Sequence, residues 1–493
     1  MNNILKTPDN RKYSGMFLIS TDKKESPLEK SVEINGMHIC FSKTANLISV
    51  IGKDNEQIGF LIGIVVDYKN NKIITKEIIL TIDNDDYINS IESQIYMFSG
   101  SWAFILCDKN HRRLYLDSCG SYSAVYDTSN KSTASITGLL LNDEDFIERF
   151  DGDLHTELEV NNFGWLPAGL TAHKGVKRLI CNHYLDLTTY KSIRHWPKQE
   201  FVCNKNVELI SKKIAQIIQA TVHSLSDDGK TCLTLTGGKD SRLILSSVKK
   251  FKSKVELATI NLPGSELDVY LATKIASSDK NLKHTIYPPV KASTNRRIEW
   301  LYNASYCVGG VNQYYSPSIR PLSKFKYLVG GAAGEIGRAF LWHDSDTRDM
   351  PITASLLISR LGLKYNYKVE EKIEEWLSDL QSYDAFTILD LAYAELRVSP
   401  WAFAQSYSYE GREKLTQISP FVNRELITLL FSLPAKARRN EEYVYEGVNY
   451  LWPELLQIQF NKYNDYRDYI QKIKRLFIPG VLISKLRKVF AIK

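Results

Sequence analysis

The stretch Thr231–Leu245 (TCLTLTGGKDSRLIL) constrains this chain more than any other. β-type residues run from Thr231 to Leu235, and Thr236-Gly237-Gly238-Lys239-Asp240-Ser241 then breaks the pattern. Leu243, Ile244 and Leu245 follow in a helix-compatible segment. A strand that passes through small residues into a helix presents backbone N–H groups to an anion at the helix N-terminus. Gly237 and Gly238 allow the backbone a close approach. Thr236 and Ser241 add hydroxyl donors, and Asp240 has the hard oxygens that a phosphate-bound Mg²⁺ prefers. The order differs from the GxxxxGK[ST] phosphate loop. The plain alternative is an Asx/Gly turn before an ordinary helix capped by Asp240.

The surroundings set that loop in an α/β context. Val207, Ile210, Ile214, Ile217, Ile218 and Val222 share one helical face just upstream. Downstream the pattern predicts a strand at 255–260, a helix at 268–276, and strands at 284–287 and 327–330. Strands alternating with helices imply a doubly wound parallel sheet, whose ligands sit at the carboxyl ends of the strands. Residues 1–195 read differently. Short apolar or alternating runs at 16–20, 59–66, 77–82, 102–107, 113–116 and 184–187 are separated by turn clusters such as Asp83-Asn84-Asp85-Asp86, which predicts a β-rich α+β sandwich. The expected boundary is near 196, giving domains 1–195 and 196–493, with a mainly helical part from about 351.

Bulk properties exclude several classes. The 493 residues suffice for two or three cores, and 44% hydrophobic with 24% charged residues is ordinary for a globular protein. The longest apolar run, Gly59–Val66, is far short of the ~20 residues that span a bilayer, so no transmembrane segment is expected. The start shows no basic-then-apolar signal pattern. Seven cysteines, odd in number and never spaced CxxC, argue against zinc ribbons and disulfide frameworks and for a cytoplasmic location. Nine histidines without HxxxH or HExxH spacing give no metal motif. The net charge of +7 is concentrated in residues 467–493, which carry eight Lys/Arg against Asp468, so the body is neutral. This tail, with Leu482, Leu486, Val489 and Phe490 at helical spacing, suits either an anionic surface or docking on the body. No specific nucleic-acid partner is expected.

The TGGKDS loop resembles the SGGxDS pyrophosphate loop of the ATP-pyrophosphatase superfamily, with Thr236 in place of the first Ser. Other blocks agree in order. Gly100–Tyr126, Ala134–Leu140 and His173–Asp186 resemble segments of class II glutamine amidotransferase domains. Ala258-Thr259-Ile260 resembles the strand whose backbone meets adenine, Asp268-x-x-x-Ala272 with His284 resembles the next helix–strand pair, and Gly330-Gly331-Ala332-Ala333-Gly334-Glu335 resembles a second glycine-rich loop. Together they resemble the asparagine synthase-like family over most of the chain up to residue 340. The resemblance implies ATP and Mg²⁺ as cofactors. It implies nucleotide contacts from Leu235, Thr236, Gly237, Gly238, Lys239, Asp240, Ser241, Ile260, Gly330 and Gly331, and metal contacts from Asp240 and Glu335. The side chain of Lys239, at the variable position, is expected in solvent.

Three departures matter. Position 2 is Asn2 and the first cysteine is Cys40, so the N-terminal domain is expected to lack glutaminase activity, as in β-lactam synthetases and lasso-peptide cyclases. Only one acid, Glu335, follows the second glycine loop. No K-x-L-L-R motif supplies the late cation, which leaves Arg338, Arg397, Arg438, Arg439 and Lys462. Arg338 and Lys462 from this set, together with Glu335, are taken as catalytic candidates. Arg397–Trp401 and Ser419-Pro420-Phe421 with Arg424 are read equally as candidate pocket walls or as core packing with surface charges. The expected function is an ATP-dependent amide-bond-forming ligase that makes an acyl-adenylate, releases pyrophosphate and joins the acyl group to an amine. The substrate would be a carboxylate-bearing small molecule, sugar or peptide, with a biosynthetic partner protein as a further expectation. One alternative is an amidotransferase using free or partner-supplied ammonia on a sugar acid or peptide. A thiolating RNA-modifying enzyme is disfavoured by the scattered cysteines and neutral body. A non-catalytic ATP-binding scaffold is the remaining reading.

Overall fold

The computed structural model describes residues 5–83, 85–162 and 164–469 of a mixed α/β chain with three sheets. The basic tail beyond 469 and Asn2 lie outside the described residues.

Two sheets built from residues 17–194 face each other. One has six antiparallel strands, with Phe17–Ser20 between Ser132–Ala134 and Met37–Phe41. The other is centred on Gln57–Asp67 and Ser99–Cys107, paired antiparallel along Gly59↔Leu106 to Val66↔Ser99. Alternate residues of each strand meet between the sheets: Phe17, Ile19 and Ile39 from one, Ile62, Ile105 and Leu114 from the other. The second sheet is also covered on its outer face, where Leu61, Val65, Trp102 and Phe104 pack with Ile91 and Ile95 of the helix Tyr87–Ile95. Burial on both faces explains why 59–66 is continuously apolar rather than alternating.

The third sheet holds five parallel strands: Thr231–Thr234, Val255–Ile260, His284–Tyr287, Tyr327–Val329 and Thr416–Ile418. Numbered along the chain, their spatial order is 3-2-1-4-5. The expected elements fall where the pattern placed them, with helices at Val207–Asp228 and Glu266–Ser277. The upstream helix is capped by Asn206, which accepts from the Leu209 N–H at 3.0 Å, and its Ile210, Ile214, Ile217, Ile218 and Val222 are buried. The part after 351 is mainly helical, but Thr416–Ile418 adds the fifth strand. Only three residues long, it carries no readable period.

Charged groups tie the helical part to the first sheets. Glu395, 2% exposed, accepts from both Arg194 terminal nitrogens at 2.9 and 2.8 Å, from Trp376 Nε1 at 2.7 Å and from Asn182 Nδ2 at 3.1 Å. Arg424, equally buried, donates to Asn182 Oδ1 at 3.1 Å and to the Leu116 carbonyl at 2.8 Å. Of the two readings open for Arg424, pocket wall or core packing, its buried partners make it a structural tie. Burial alone would raise the Glu395 carboxyl, but the Arg194 charge prevails and holds it below its ordinary range. Glu395→Ala strands Arg194 without its partner and should cost about 3–5 kcal/mol in urea unfolding. Arg194→Ala should cost a similar amount, and the double variant clearly less than the sum.

Candidate functional site

In the strand order 3-2-1-4-5 the connections diverge between the first and fourth strands, Thr231–Thr234 and Tyr327–Val329, which pair in register Leu233↔Val329. This is the switch point where doubly wound sheets hold ligands. Both glycine-rich loops leave from these two neighbours, so segments about 95 residues apart in sequence meet at one place.

The first loop turns at Gly237-Gly238 into the helix Lys239–Ser246, whose N-cap is Gly238 with no side-chain cap. Asp240 therefore does not cap it. A Cβ on Gly237 would stand 2.4 Å from Leu271 Cδ1, so only glycine lets the loop rest on the helix Glu266–Ser277. Asp268 accepts the Gly237 N–H at 2.9 Å, and His284 Nε2 lies 2.9 Å from Thr259 Oγ1, whose hydroxyl donates to the Leu235 carbonyl at 2.6 Å. One of the amides expected to face phosphate is thus already used to hold the turn. The Thr236 and Ser241 hydroxyls lie 2.9 Å apart and bond to each other.

The second loop lies directly on Asp240. A Cβ on Gly331 would be 2.8 Å from Asp240 Cβ, and one on Gly334 would be 2.7 Å from Asp240 Cγ. Ala333 and Ala339 take left-handed φ of 68° and 51° around the turn Gly334–Arg338. Such backbone costs non-glycine residues roughly 1–2 kcal/mol each and persists only where surrounding contacts demand it. Those contacts are Ser419 Oγ donating to the Ala332 carbonyl at 2.5 Å, Tyr443 OH to the Gly334 carbonyl at 2.9 Å, and Arg438 Nε to the Gly337 carbonyl at 2.9 Å.

Four charges alternate through the site. Arg338 Nη2 reaches both Asp240 oxygens at 2.7 Å, Arg338 Nε reaches Glu441 at 2.6 Å, and Lys239 also pairs with Glu441 while lying 5.3 Å from the Tyr445 ring centre. Lys239 is thus not a solvated side chain as expected, because Glu441 waits beside it. Burial lifts the Asp240 carboxyl to about 6, against the pull of Arg338 and with the negative charges of Glu335 and Glu441 adding to the rise. The charge of Glu335 also acts on Tyr393 and Arg397.

The late cations now separate. Arg438 is fully buried in a two-pronged pair with Asp390 at 2.7 and 2.6 Å, and Arg439 pairs with Asp344 and the Trp342 carbonyl. Lys462 is exposed and adjoins Asn461, whose N–H donates to the Gly237 carbonyl at 3.1 Å. Arg397 stacks between Trp165 and Trp401, 4.2 Å from each ring centre, and its Nη1 is buried without a hydrogen-bond partner among the described residues. Ile260 and Gly330 both line the adjoining cavity.

Sequence reasoning did not single out Arg242 or Glu441. Buried Arg242 donates to the Ile458 and Gln459 carbonyls and stacks 4.0 Å from the Phe460 ring centre, which docks the segment bearing Lys462 against the first loop. Its position directly after Ser241 was a signal, but its partners lie more than 200 residues away.

No protein-family model and no curated protein matches the chain. Among solved structures, it is similar to the NH3-dependent NAD synthetase from Campylobacter jejuni subsp. jejuni NCTC 11168 in complex with the nitrate ion. Identity is 15%, coverage is 41% of this chain and 96% of that one, and the TM-score is 0.20. A likeness of that size carries no inference about activity. Among the described residues no helix is long and apolar enough to cross a membrane.

Because the folded Asp240 carboxyl titrates above its unfolded value of about 3.9, the folded state binds more protons between pH 4 and 6 and loses stability as pH rises. Asp240→Asn should remove that descent. The thermal midpoint of the variant relative to the parent should therefore climb from pH 4 to 7, by the equivalent of roughly 2 kcal/mol.

Proposed function

We propose that this chain is an asparagine synthase-like, ATP-dependent amide-bond-forming ligase. The observation that carries the reading is the packing of both glycine loops on Asp240 at the switch point of a parallel sheet, with an uncapped helix N-terminus beside them. A carboxylate is a poor acyl donor because its leaving group would be an oxide. Attack of a carboxylate oxygen on the α-phosphorus of ATP forms the acyl-adenylate and expels pyrophosphate. Positioning and charge stabilisation dominate such a step.

The loop 236–241 would hold the departing pyrophosphate with the remaining amides at the start of the helix, and Ile260 would meet the adenine. Lys462 and Arg338 would offset the negative charge that builds on the phosphates. Arg397, with an uncommitted donor, would steer an anionic substrate group toward Glu335. An amine then attacks the acyl carbon, AMP leaves, and the amine proton passes to a base, the role proposed for Glu335. Asp240 and Glu335 suit a Mg²⁺ borne by phosphates, which needs only one or two protein carboxylates and supplies charge neutralisation when bound. Among the described residues no cluster of three or more His, Cys, Asp or Glu could hold a metal with protein ligands alone. The division into a sandwich at 1–195 and a synthetase part from 196 belongs to the same proposal.

The second reading, an ATP-binding scaffold without turnover, is favoured by one observation: Arg338 occupies both Asp240 oxygens. ATP–pyrophosphate exchange separates the two. Under the ligase reading, exchange depends on an added carboxylate. Asp240→Asn and Lys462→Ala each lower its rate by about 10²–10³, while ATP affinity in Lys462→Ala changes less than about threefold. Binding of ATP with no exchange for any of a broad set of carboxylates selects the scaffold.

A further inference from the structure

A cavity of about 460 Å³ lies between the sandwich and the carboxyl ends of the parallel strands. Asn46, Ser101 and Tyr122 line its sandwich end, and Ile260, Gly330 and Ser419 line the end beside the two loops. A liquid water occupies about 30 Å³ and small-molecule sites run about 300–1,000 Å³. This space is therefore far larger than a passage for ammonia needs, and it matches an organic ligand of one or two rings.

Its lining specifies the ligand's chemistry. Among the described residues Arg412 is the one charged side chain that borders the cavity, and its guanidinium is already committed. It donates to the Ser14 carbonyl at 3.1 Å and to the Ser406 carbonyl, and lies 4.4 Å from the Tyr407 ring centre. Among the described residues no carboxylate lines the space. A charged ligand body would lose its hydration there without gaining a partner, which costs several kcal/mol. The remaining surface combines neutral hydroxyls and amides with the rings of Trp300, Trp401 and Tyr122. Aromatic faces take the C–H surface of a saturated ring, while hydroxyls and amides take its polar edge.

We infer that the part of this cavity beyond the Ile260 end, which is left to the nucleotide, binds the uncharged, hydroxyl-rich ring of a carbohydrate substrate, with the sandwich forming the far wall of the substrate site. A carboxylate on that sugar would lie at the Gly330–Ser419 mouth. This orientation rests on the ligase reading, whereas binding of the ring does not. Ring binding is therefore tested without turnover, by saturation-transfer NMR and calorimetry on the full chain with N-acetylglucosamine and methyl glucoside. The parent should bind at least one of them at millimolar concentration. Ser101→Trp, which fills the sandwich end, should weaken that binding by about tenfold or more while ATP binds as before. Asn46→Leu, which removes an amide at little change in volume, should weaken it in the same direction and covers the case in which the larger residue prevents folding. No binding of either sugar to the parent, or equal binding by a folded variant, overturns the inference. Sugar binding without pyrophosphate exchange for any of the broad set of carboxylates, glucuronate among them, counts against the ligase reading and leaves the carbohydrate site standing.

Discussion

The site depends on a contact that admits no side chain, the seating of Gly331 and Gly334 on Asp240. A Cβ on either would come within 2.8 Å of that residue. Real Cβ atoms do not approach so closely, so the two loops form one surface only while both positions stay glycine. The contact in turn requires neighbouring strands that end level, which the parallel pairing Leu233↔Val329 provides. The strained Ala333 and the bonds from Ser419, Tyr443 and Arg438 serve the same end, because each fixes a carbonyl or a turn of the second loop.

The charges follow from that geometry. Lys239, Glu441, Arg338 and Asp240 alternate and sum to zero, so the resting site is electrically self-contained despite its depth. Incoming phosphates would upset this balance, since the cations nearest the loop are already paired. Two positive groups remain less committed, Lys462 at the surface and Arg397 between its indoles, and both sit on segments held in place by buried neighbours. The Lys462 segment is held by Arg242 through the Ile458 and Gln459 carbonyls. Trp165 Nε1 donates to the Leu396 carbonyl at 2.8 Å, next to Arg397. The π-helical winding of 393–403, a form that recurs at functional sites, belongs to the same segment.

Much of this was legible in sequence where period and composition act locally. Val255–Ile260 emerges at the expected bounds because a buried parallel strand is a short apolar run set off by turns, and His284–Tyr287 does so as a half-exposed strand at the sheet edge. The TGGKDS loop announced itself through glycines that only a close approach explains. Asp117, within the Gly100–Tyr126 block, is a buried acceptor for the Cys119, Ser121 and Tyr122 amides at 2.9–3.1 Å, so that block contains a turn organiser. Lys239–Glu441, Arg242 with the 458–459 carbonyls, and Glu395 with Arg194 were not legible. Each joins residues about 200 positions apart, and a charged residue looks the same in sequence whether it meets solvent or a buried partner. The short strand Thr416–Ile418 failed for a different reason, since three residues cannot display a period.

The sandwich is more than a remnant attached to the sheet. The space between its sheets and the outer face of the second sheet are packed, and its residues Asn182 and Arg194 complete the coordination of a carboxylate that belongs to the helical part. A buried carboxylate so placed would be costly if the sandwich moved away, because Glu395 would lose three of its four hydrogen bonds while still partly enclosed. The halves are therefore held at a fixed spacing, and the cavity between them keeps its shape. The walls of that cavity are not independent, because one buried cluster runs from Leu18, Val125 and Val160 of the sandwich to Leu233, Leu243 and Val329 of the parallel-sheet part. Asn46 and Ser101 line the end of the cavity away from the Asp240 loops, so under the carbohydrate proposal they would shape the ring site while the loops keep their packing.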